Sequence, residues 1–401
     1  MVIFLSLYDV IHVNTTYDKG GAGVIAKNIH KSLLKMGLKS HYVFGYNGRG
    51  HSHFDEFSTK LSNAYAIKFN SYFYRFATNV FFGRNKYLKV VEYIRNSKIT
   101  HLHNIHGFFI DEIKLLDSIP FDTKIIWTLH DEWLLTGRCA LTYGCSEYMK
   151  KCNHCPHTGF YPASIKKNYQ ERYLKKINFL ENHKSLNVVV QSNYLKDKLM
   201  NSPMGEYLEG RVIVIPNGID RFDYSHSTEI ITKYKLKPGY VLFVSDYLVN
   251  SKGFDRFIEI SRKMPNMEFV AVGKLSGKNI SIPKNLTILG KIPNSDVRNL
   301  YYHADLFAFL SRHDNYPTTI LEAQDAGCPI VAMNTGAVES MLKDYDDSLV
   351  LSDFDVEKVE SFIIEHAGHH KSKRTSKLKD SNTTEGMIHS YIELYEKVSD
   401  K

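Results

Sequence analysis

Short β-branched runs alternate with stretches of helical periodicity along this chain, and the alternation restarts midway. Val10–Asn14 reads as a strand and is followed by glycines at Gly20, Gly21 and Gly23. Val24–Met36 then carries Val24, Ile25, Ile29, Leu33 and Leu34 at helical spacing, with Gly37 placed as a C-cap. Further buried-type strands are predicted at Lys39–Phe44, Ile99–His103, Lys124–Leu129 and Asn187–Gln191. After the turn in Ile215–Asp220 (IPNGID) a second set follows at Tyr240–Val244, Glu268–Val272, Leu286–Leu289, Leu306–Leu310 and Ile330–Ala332. Strands separated by helical stretches imply α/β architecture, each half a parallel sheet with helices on both faces. The expected division is 1–215, 216–383 and a last helix in 384–401 docking on the first domain, with Met387, Ile388, Tyr391, Ile392, Leu394 and Tyr395 as its apolar face. His366–Thr384 is basic and polar and reads as a solvated connection. Two such domains facing across a cleft would bind ligands at the carboxyl ends of their strands.

The 401 residues suit two cores better than one. A hydrophobic content of 43% with 23% charged residues is globular rather than disordered. The formal charge of +8 favours phosphorylated ligands or an anionic membrane surface, and no pattern calls for nucleic acid. No apolar run reaches the roughly 20 residues needed to span a bilayer, and Met1–Leu7 lacks a basic region and the length of a secretion signal. A cytoplasmic protein is therefore expected, and its five cysteines do not suggest disulfides. Ala64–Lys98 interleaves Tyr65, Phe69, Tyr72, Phe73, Tyr74, Phe76, Phe81 and Phe82 with Lys68, Arg75, Arg84, Lys86 and Lys89. Such a stretch either lies on an anionic bilayer or forms core-packing helices.

The strongest motif is Ser311–Gly327, SRHDNYPTTILEAQDAG, directly after a predicted strand. Pro317 suits a first helical position, which would leave the N–H groups of Thr318 and Thr319 free for an anion. Asp314 precedes that helix and Glu322 lies one turn inside it, so one carboxylate can hold a sugar while the other holds a ribose. The alternative is a capped helix with a solvated glutamate. Gly20-Gly21-Ala22-Gly23 opens a helix and permits close backbone approach to a diphosphate, but it does not match the dinucleotide G-x-G-x-x-G pattern, which argues against a dehydrogenase. His130-Asp131 emerges from one strand end and His103-Asn104 with His106 from another.

The segment Ser311–Gly327 resembles the E-x7-E motif of glycosyltransferase family 4, in the Asp-Asn-x-Pro form of its colanic-acid and capsule-biosynthesis branch, with Asp314 in place of the first glutamate. The resemblance extends through GGAG at Gly20–Gly23, TLHDEW at Thr128–Trp133, IPNGID, Ser251–Gly253 and Leu289–Lys291. It implies the GT-B fold, hexosyl transfer with retention from a nucleoside-diphosphate sugar (UDP or GDP sugar) to a glycan or lipid-linked oligosaccharide, and no cofactor required for catalysis. By the resemblance, Glu322 binds ribose hydroxyls, Asp314 a donor-sugar hydroxyl, Lys252 the diphosphate, and Thr318 and Thr319 offer it backbone N–H groups. Gly20, Gly21 and Gly23 border the phosphate, and Gly273, Lys291, Asn315 and Tyr316 line the donor side. Relatives carry an arginine shortly before the Lys-Gly pair. Val244–Asn250 has none, and Arg256 stands in as a substitute. His130 contacts the transferring sugar, while His103, Asn104, His106 and Asp131 meet the acceptor. A sugar-nucleotide epimerase of the same fold, or a non-catalytic glycan-binding scaffold with a zinc loop, are the rival readings.

Cys139, Cys145, Cys152 and Cys155 have the spacing C-x5-C-x6-C-x2-C, with His154 and His157 beside them. Four thiolates in one short loop suit a structural tetrahedral Zn2+ site, and reduced, unliganded thiols are the alternative. Cys328 stands alone and reads as a small buried residue.

Overall fold

The computed structural model describes residues 6–46, 55–62, 86–157, 159–163, 167–224, 228–237, 239–277, 280–368 and 374–400, with Tyr65, Lys68, Phe69, Ser71 and Tyr72 between them. The chain forms two compact units, one of residues 1–216 with 387–401 and one of residues 217–386.

The first unit is built on seven strands, β1 (Tyr8–Thr16), β2 (Ser40–Tyr46), β3 (Ser58–Lys60), β4 (Ser97–Leu102), β5 (Ile125–Thr128), β6 (Asn187–Val190) and β7 (Val212–Val214). They pair in parallel in the order β3-β2-β1-β4-β5-β6-β7, so the order reverses between β1 and β4. The inner strands carry apolar residues on both faces because both are covered. The two-residue period sends Ile11 and Val13 of β1 into one core and Val10 into the other. The first core lies under α2 (Lys86–Arg95), α3 (Glu112–Ser118), α4 (Tyr169–Asn182) and α5 (Asn193–Met200). The second joins Ile25, Ile29 and Leu33 of α1 (Gly20–Lys35) to Met387, Ile388, Tyr391, Leu394, Tyr395 and Val398, which form one stripe along α12 (Thr384–Ser399).

The second unit has six parallel strands in the order β10-β9-β8-β11-β12-β13. These are β8 (Tyr240–Leu248), β9 (Glu268–Leu275), β10 (Leu286–Gly290), β11 (Leu306–Phe309), β12 (Ile330–Met333) and β13 (Ser348–Leu351). The helices in chain order are α6 (Glu229–Lys233), α7 (Phe254–Lys263), α8 (Asn294–His303), α9 (Thr318–Asp325), α10 (Val338–Leu342) and α11 (Val356–His366). Phe254, Phe257, Ile258 and Ile260 of α7 pack with Val359 and Ile363 of α11, while α8, α9 and α10 enclose a second core. The sheet order reverses between β8 and β11, which brings the loops after these two strands side by side. The two-domain α/β expectation is met.

Several local expectations are corrected. The glycine run, expected to open a helix, is itself the first turn of α1, with Gly23 packed so closely on Thr16 that a Cβ would crowd its hydroxyl. Strands β3, β7 and β13 had no counterpart in the sequence reading. β8 and β9 run about one turn-length further than their apolar cores, past an irregularity between Val244 and Tyr247. Residues 374–382 are not merely a solvated connection. Leu378 is buried, Lys377 N donates to the Gln324 carbonyl at 3.0 Å, and Ser376 Oγ donates to Asp325 at 2.9 Å. Where the chain crosses at IPNG, Ile219 N donates to Asn382 O and Thr384 N to Ile219 O, each at 2.9 Å. A Cβ at Gly218 would collide with the Thr383 carbonyl, so the close approach requires glycine. In the aromatic and basic stretch, α2 is a core-packing helix through Val90, Val91 and Ile94. Tyr65, Phe69 and Tyr72 are exposed by 73%, 44% and 64%, whereas Phe73, Tyr74, Arg75, Phe76, Phe81, Phe82 and Arg84 lie outside the described residues.

Candidate functional site

In the second unit the loops after β8 and β11 form one constellation. Gly253 adopts φ +82° and caps α7, and a Cβ there would collide with the Leu310 carbonyl. Arg312 N donates to Ser251 O at 3.0 Å, and the Arg312 guanidinium forks onto Asp255 with two 2.7 Å hydrogen bonds. These contacts bring Lys252 to Asp314, and its Nζ donates to Oδ2 at 2.7 Å. The remaining oxygen of Asp314 accepts from Asn315 N at 3.0 Å. Pro317 stands at the N-cap of α9, and Ile320 N donates back to its carbonyl at 3.2 Å, so the N–H groups of Thr318 and Thr319 open the helix ahead of the first bonded turn. Glu322 follows Thr318 by four residues and shares its helix face. Burial raises the Glu322 carboxyl above its usual range, opposed by the Arg298 guanidinium and by Tyr301 and Asn294 of α8.

The other residues expected on the donor side are placed as follows. Tyr316 accepts at its hydroxyl from Asn382 at 2.6 Å, and burial pushes that hydroxyl up to about 12. Arg256 donates to the Leu310 carbonyl at 3.2 Å and lies over Phe354, so it braces the loop that carries Asp314. Lys291 Nζ donates to Asp246 at 3.0 Å. Gly273, at φ +139°, sits so close to the Ser245 carbonyl that no side chain would fit.

Two features of this unit escaped the sequence reading. The loop after β12 presses on the acidic loop: Ala337 N donates to Asn315 O at 3.0 Å, and Gly336 touches the Asp314 and Asn315 carbonyls. Asp325, 2% exposed at the far end of α9, gathers Arg298, the Tyr224 hydroxyl at 2.7 Å, Phe222 N at 3.1 Å and Ser376. The sequence trace of this network is an acidic residue at the last position of the helix.

In the first unit the histidines converge at the carboxyl ends of β1, β4 and β5. His103 Nδ1 lies 3.0 Å from His130 Nε2, and His106 Nε2 lies 2.7 Å from Asp131 Oδ2. The other Asp131 oxygen accepts from Trp133 N at 2.9 Å. Burial pushes Asp131 upward, but His106, the Trp133 N–H and His130 together outweigh it and hold the carboxyl below its usual range. Burial lowers His130 to about 4. Asn104 is fixed by its backbone, its N–H donating to Asn14 at 3.1 Å and its carbonyl accepting from Thr15 at 2.7 Å. His12 was missed, although register pairs it directly with His101, and His12, His101 and His103 all fall on the α1 and α12 face. The signal was His-x-His at 101–103 beside a histidine in a strand two positions from its end.

The four cysteines line one pocket with Arg138, His154 and His157. No disulfide joins them, and their sulfurs are not drawn together as the tetrahedral site expected from their spacing would require. Among the described residues, the ligand atoms close enough to share one ion, within 4.8 Å, are those of His12, His101 and His103. The sulfurs are taken up by separate donors instead, Cys152 by Gly137 N at 3.1 Å and Cys155 by Arg138 at 3.8 Å. Burial raises Cys152 to about 11. Cys328 is buried in the core of the second unit, as expected.

Residues 19–221 match the family model described as Glycosyltransferase Family 4, and residues 227–367 match Glycosyl transferases group 1. The chain is 25% identical over 354 residues to the putative colanic acid biosynthesis glycosyl transferase WcaC of Escherichia coli K12, covering 84% of this chain and 85% of that one. Its fold is similar to sucrose-phosphate synthase from Thermosynechococcus elongatus (TM-score 0.69, 13% identity, 97% of this chain and 99% of that one). It is likewise similar to Anabaena HepE in complex with UDP (TM-score 0.67, 13% identity, 97% and 100%). Among the described residues no helix is long and apolar enough to cross a membrane.

Proposed function

The chain belongs to glycosyltransferase family 4 and is a nucleotide-sugar-dependent enzyme of the GT-B fold, and from that premise we propose that it transfers a hexosyl group, with retention, to a hydroxyl of a lipid-linked polysaccharide intermediate. The observation that carries this reading is the Lys252–Asp314 pair at 2.7 Å, held beside the opening turn of α9 where the sheet order reverses. Lys252 and the N–H groups of Thr318 and Thr319 neutralise the departing diphosphate. Glu322, on the same helix face, holds the ribose, and Asp314 holds a hydroxyl of the donor sugar. His130 contacts the transferring sugar, and His103, Asn104, His106 and Asp131 order the acceptor.

The acceptor oxygen attacks the anomeric carbon on the face from which the diphosphate leaves. The bond from that carbon to the phosphate oxygen breaks as the new glycosidic bond forms. The acceptor proton passes to a phosphate oxygen, so the chain supplies position and charge rather than a base, and no cofactor. Exposed Tyr65, Phe69 and Tyr72 suit contact with the membrane that carries a lipid-linked acceptor. Zn2+ held by Cys139, Cys145, Cys152 and Cys155 would pin the loop behind Asp131.

The test is incubation of the purified protein with UDP, GDP and ADP sugars, following nucleoside-diphosphate release and donor identity. Release that depends on Glu322 supports transfer. An isomerised donor, or an inert one, overturns it.

A further inference from the structure

The first unit holds an unbroken chain of three imidazoles that the transfer mechanism does not itself require. His12 Nδ1 lies 3.2 Å from His103 Nε2, and His103 Nδ1 lies 3.0 Å from His130 Nε2. The rings of each pair are inclined by only 23° and 20°, with centroids 5.5 and 5.3 Å apart, so they meet edge to edge and an N–H of one can point at the lone pair of the next. His12 and His103 are at most 1% exposed. At the inner end, His12 Nε2 is buried without a hydrogen-bond partner among the described residues.

We propose that His12 and His103 are positioning residues that fix the tautomer of His130, the chain running as a one-way relay that leaves the His130 proton on Nδ1. Each neutral imidazole carries one N–H and one lone pair. Burial holds all three rings neutral in the ordinary pH range, with His12 and His103 well below the usual histidine value. A buried N–H without an acceptor is rarer and costlier than an unused lone pair. The unpartnered Nε2 of His12 therefore carries the lone pair, and its proton sits on Nδ1, facing His103. His103 accepts at Nε2, so its own proton is on Nδ1 and is donated to His130 Nε2. His130 then carries its proton on Nδ1. A histidine fixed in this way offers a hydrogen bond to an oxygen and cannot accept one, which suits a sugar hydroxyl or a developing negative charge. The relay stands on the ring geometry and on the buried, unpartnered Nε2 of His12. Its effect on turnover rests on the role proposed above for His130.

The same rings pose a competing arrangement, because His12, His101 and His103 are compact enough to share a metal ion. His101 is drawn away from that role, since its Nδ1 lies 2.6 Å from the Tyr395 hydroxyl and its Nε2 2.7 Å from Thr128 Oγ1. In the relay every facing nitrogen pair shares a proton, whereas around an ion every facing nitrogen presents a lone pair.

The experiment is a two-bond 1H–15N correlation on the full chain labelled at histidine, with His130 assigned by its loss in His130→Gln. The wild type is expected to show His130 as the Nδ1–H tautomer. His12→Phe, which keeps the ring volume, is expected to give a mixture of His130 tautomers and to lower kcat about tenfold, the kinetic equivalent of one hydrogen bond. His103→Asn, whose amide can still donate to His130, is expected to keep the tautomer, and His103→Leu to lose it. An Nε2–H tautomer in the wild type overturns the relay. So does a His130 spectrum indifferent to His12→Phe, or a bound metal that disappears in the His12 variant. The expected tautomers with turnover unchanged in His12→Phe would keep the relay and remove His130 from the transfer reaction.

Discussion

Lys252→Ala separates what the lysine does for the fold from what it does for the reaction. The ammonium lies 2.7 Å from Asp314, with the two side chains 40% and 20% exposed. Coulomb's law at that distance gives about 1.5 kcal/mol in bulk water and about 6 kcal/mol at an effective dielectric near 20. The exposure of the lysine and the entropy of holding its stem reduce the net contribution to about 0–1 kcal/mol. The loop does not depend on the pair, because Gly253 and the Arg312–Asp255 fork hold it independently. Loss of stability should therefore stay under about 1 kcal/mol, a shift of about 2–4 °C in Tm for a unit of this size. In the role proposed for it, the same ammonium faces charge building on the leaving diphosphate in the transition state, where one preorganised donor contributes about 2.7–4 kcal/mol, or 10²–10³ in rate. Urea denaturation and initial rates of nucleoside-diphosphate release measure the two effects on one preparation. A variant that keeps more than a tenth of the rate would refute the assignment of Lys252 to the leaving group. A variant that unfolds several kcal/mol earlier would show instead that the lysine is structural.

Asp325→Ala should destabilise the second unit by about 3–5 kcal/mol, because it leaves the Arg298 guanidinium, 5% exposed, without its buried partner. Calorimetry reads the loss directly, and Asp325→Asn should recover part of it. His41 is 7% exposed, and burial holds it down at about 4, so it stays neutral in the fold while the unfolded chain protonates near 6.5. A depressed histidine value means that stability falls as the pH drops from about 6.5 towards 4. Between pH 7 and pH 5 the loss from this group is about 2 kcal/mol. His41→Phe should flatten that part of the pH dependence in urea titrations, and an unchanged slope would exclude His41 as its source. Metal analysis of the purified chain should find one equivalent of zinc that is lost from a Cys152→Ser, Cys155→Ser variant. Four freely titrating thiols in the untreated protein would show the cysteine pocket to be metal-free.

The long central strands were legible because burial on both faces leaves an apolar run that little else produces, as in Tyr240–Val244 and Leu306–Leu310. The edge strands β3, β7 and β13 were not, since three or four residues with one covered face carry no usable period. Asp314, Thr318 and Glu322 were readable as a group because one helix and its entry loop hold them in sequence order. The pairing of Lys252 with Asp314 spans 62 residues and depends on β8 and β11 being neighbours, which periodicity cannot reveal. The histidine chain needed three facts at once: adjacency of β1 and β4, their register, and the common face of His12 and His103. Asp325 was passed over because a carboxylate near a helix end usually faces solvent, and only its partners on distant segments explain its burial.

Helix α9 is gripped at the end opposite its opening turn, by residues drawn from 222–224, from α8 and from the strap at 376. The aim of its first N–H groups is thus set by segments more than 150 residues apart in the chain. Anyone recombining donor modules between such enzymes would have to graft 217–224 and 374–382 along with the sheet. A transplant cut at the sheet's own borders would carry Lys252, Asp314 and Glu322 and still leave the helix that aims them without its far anchor.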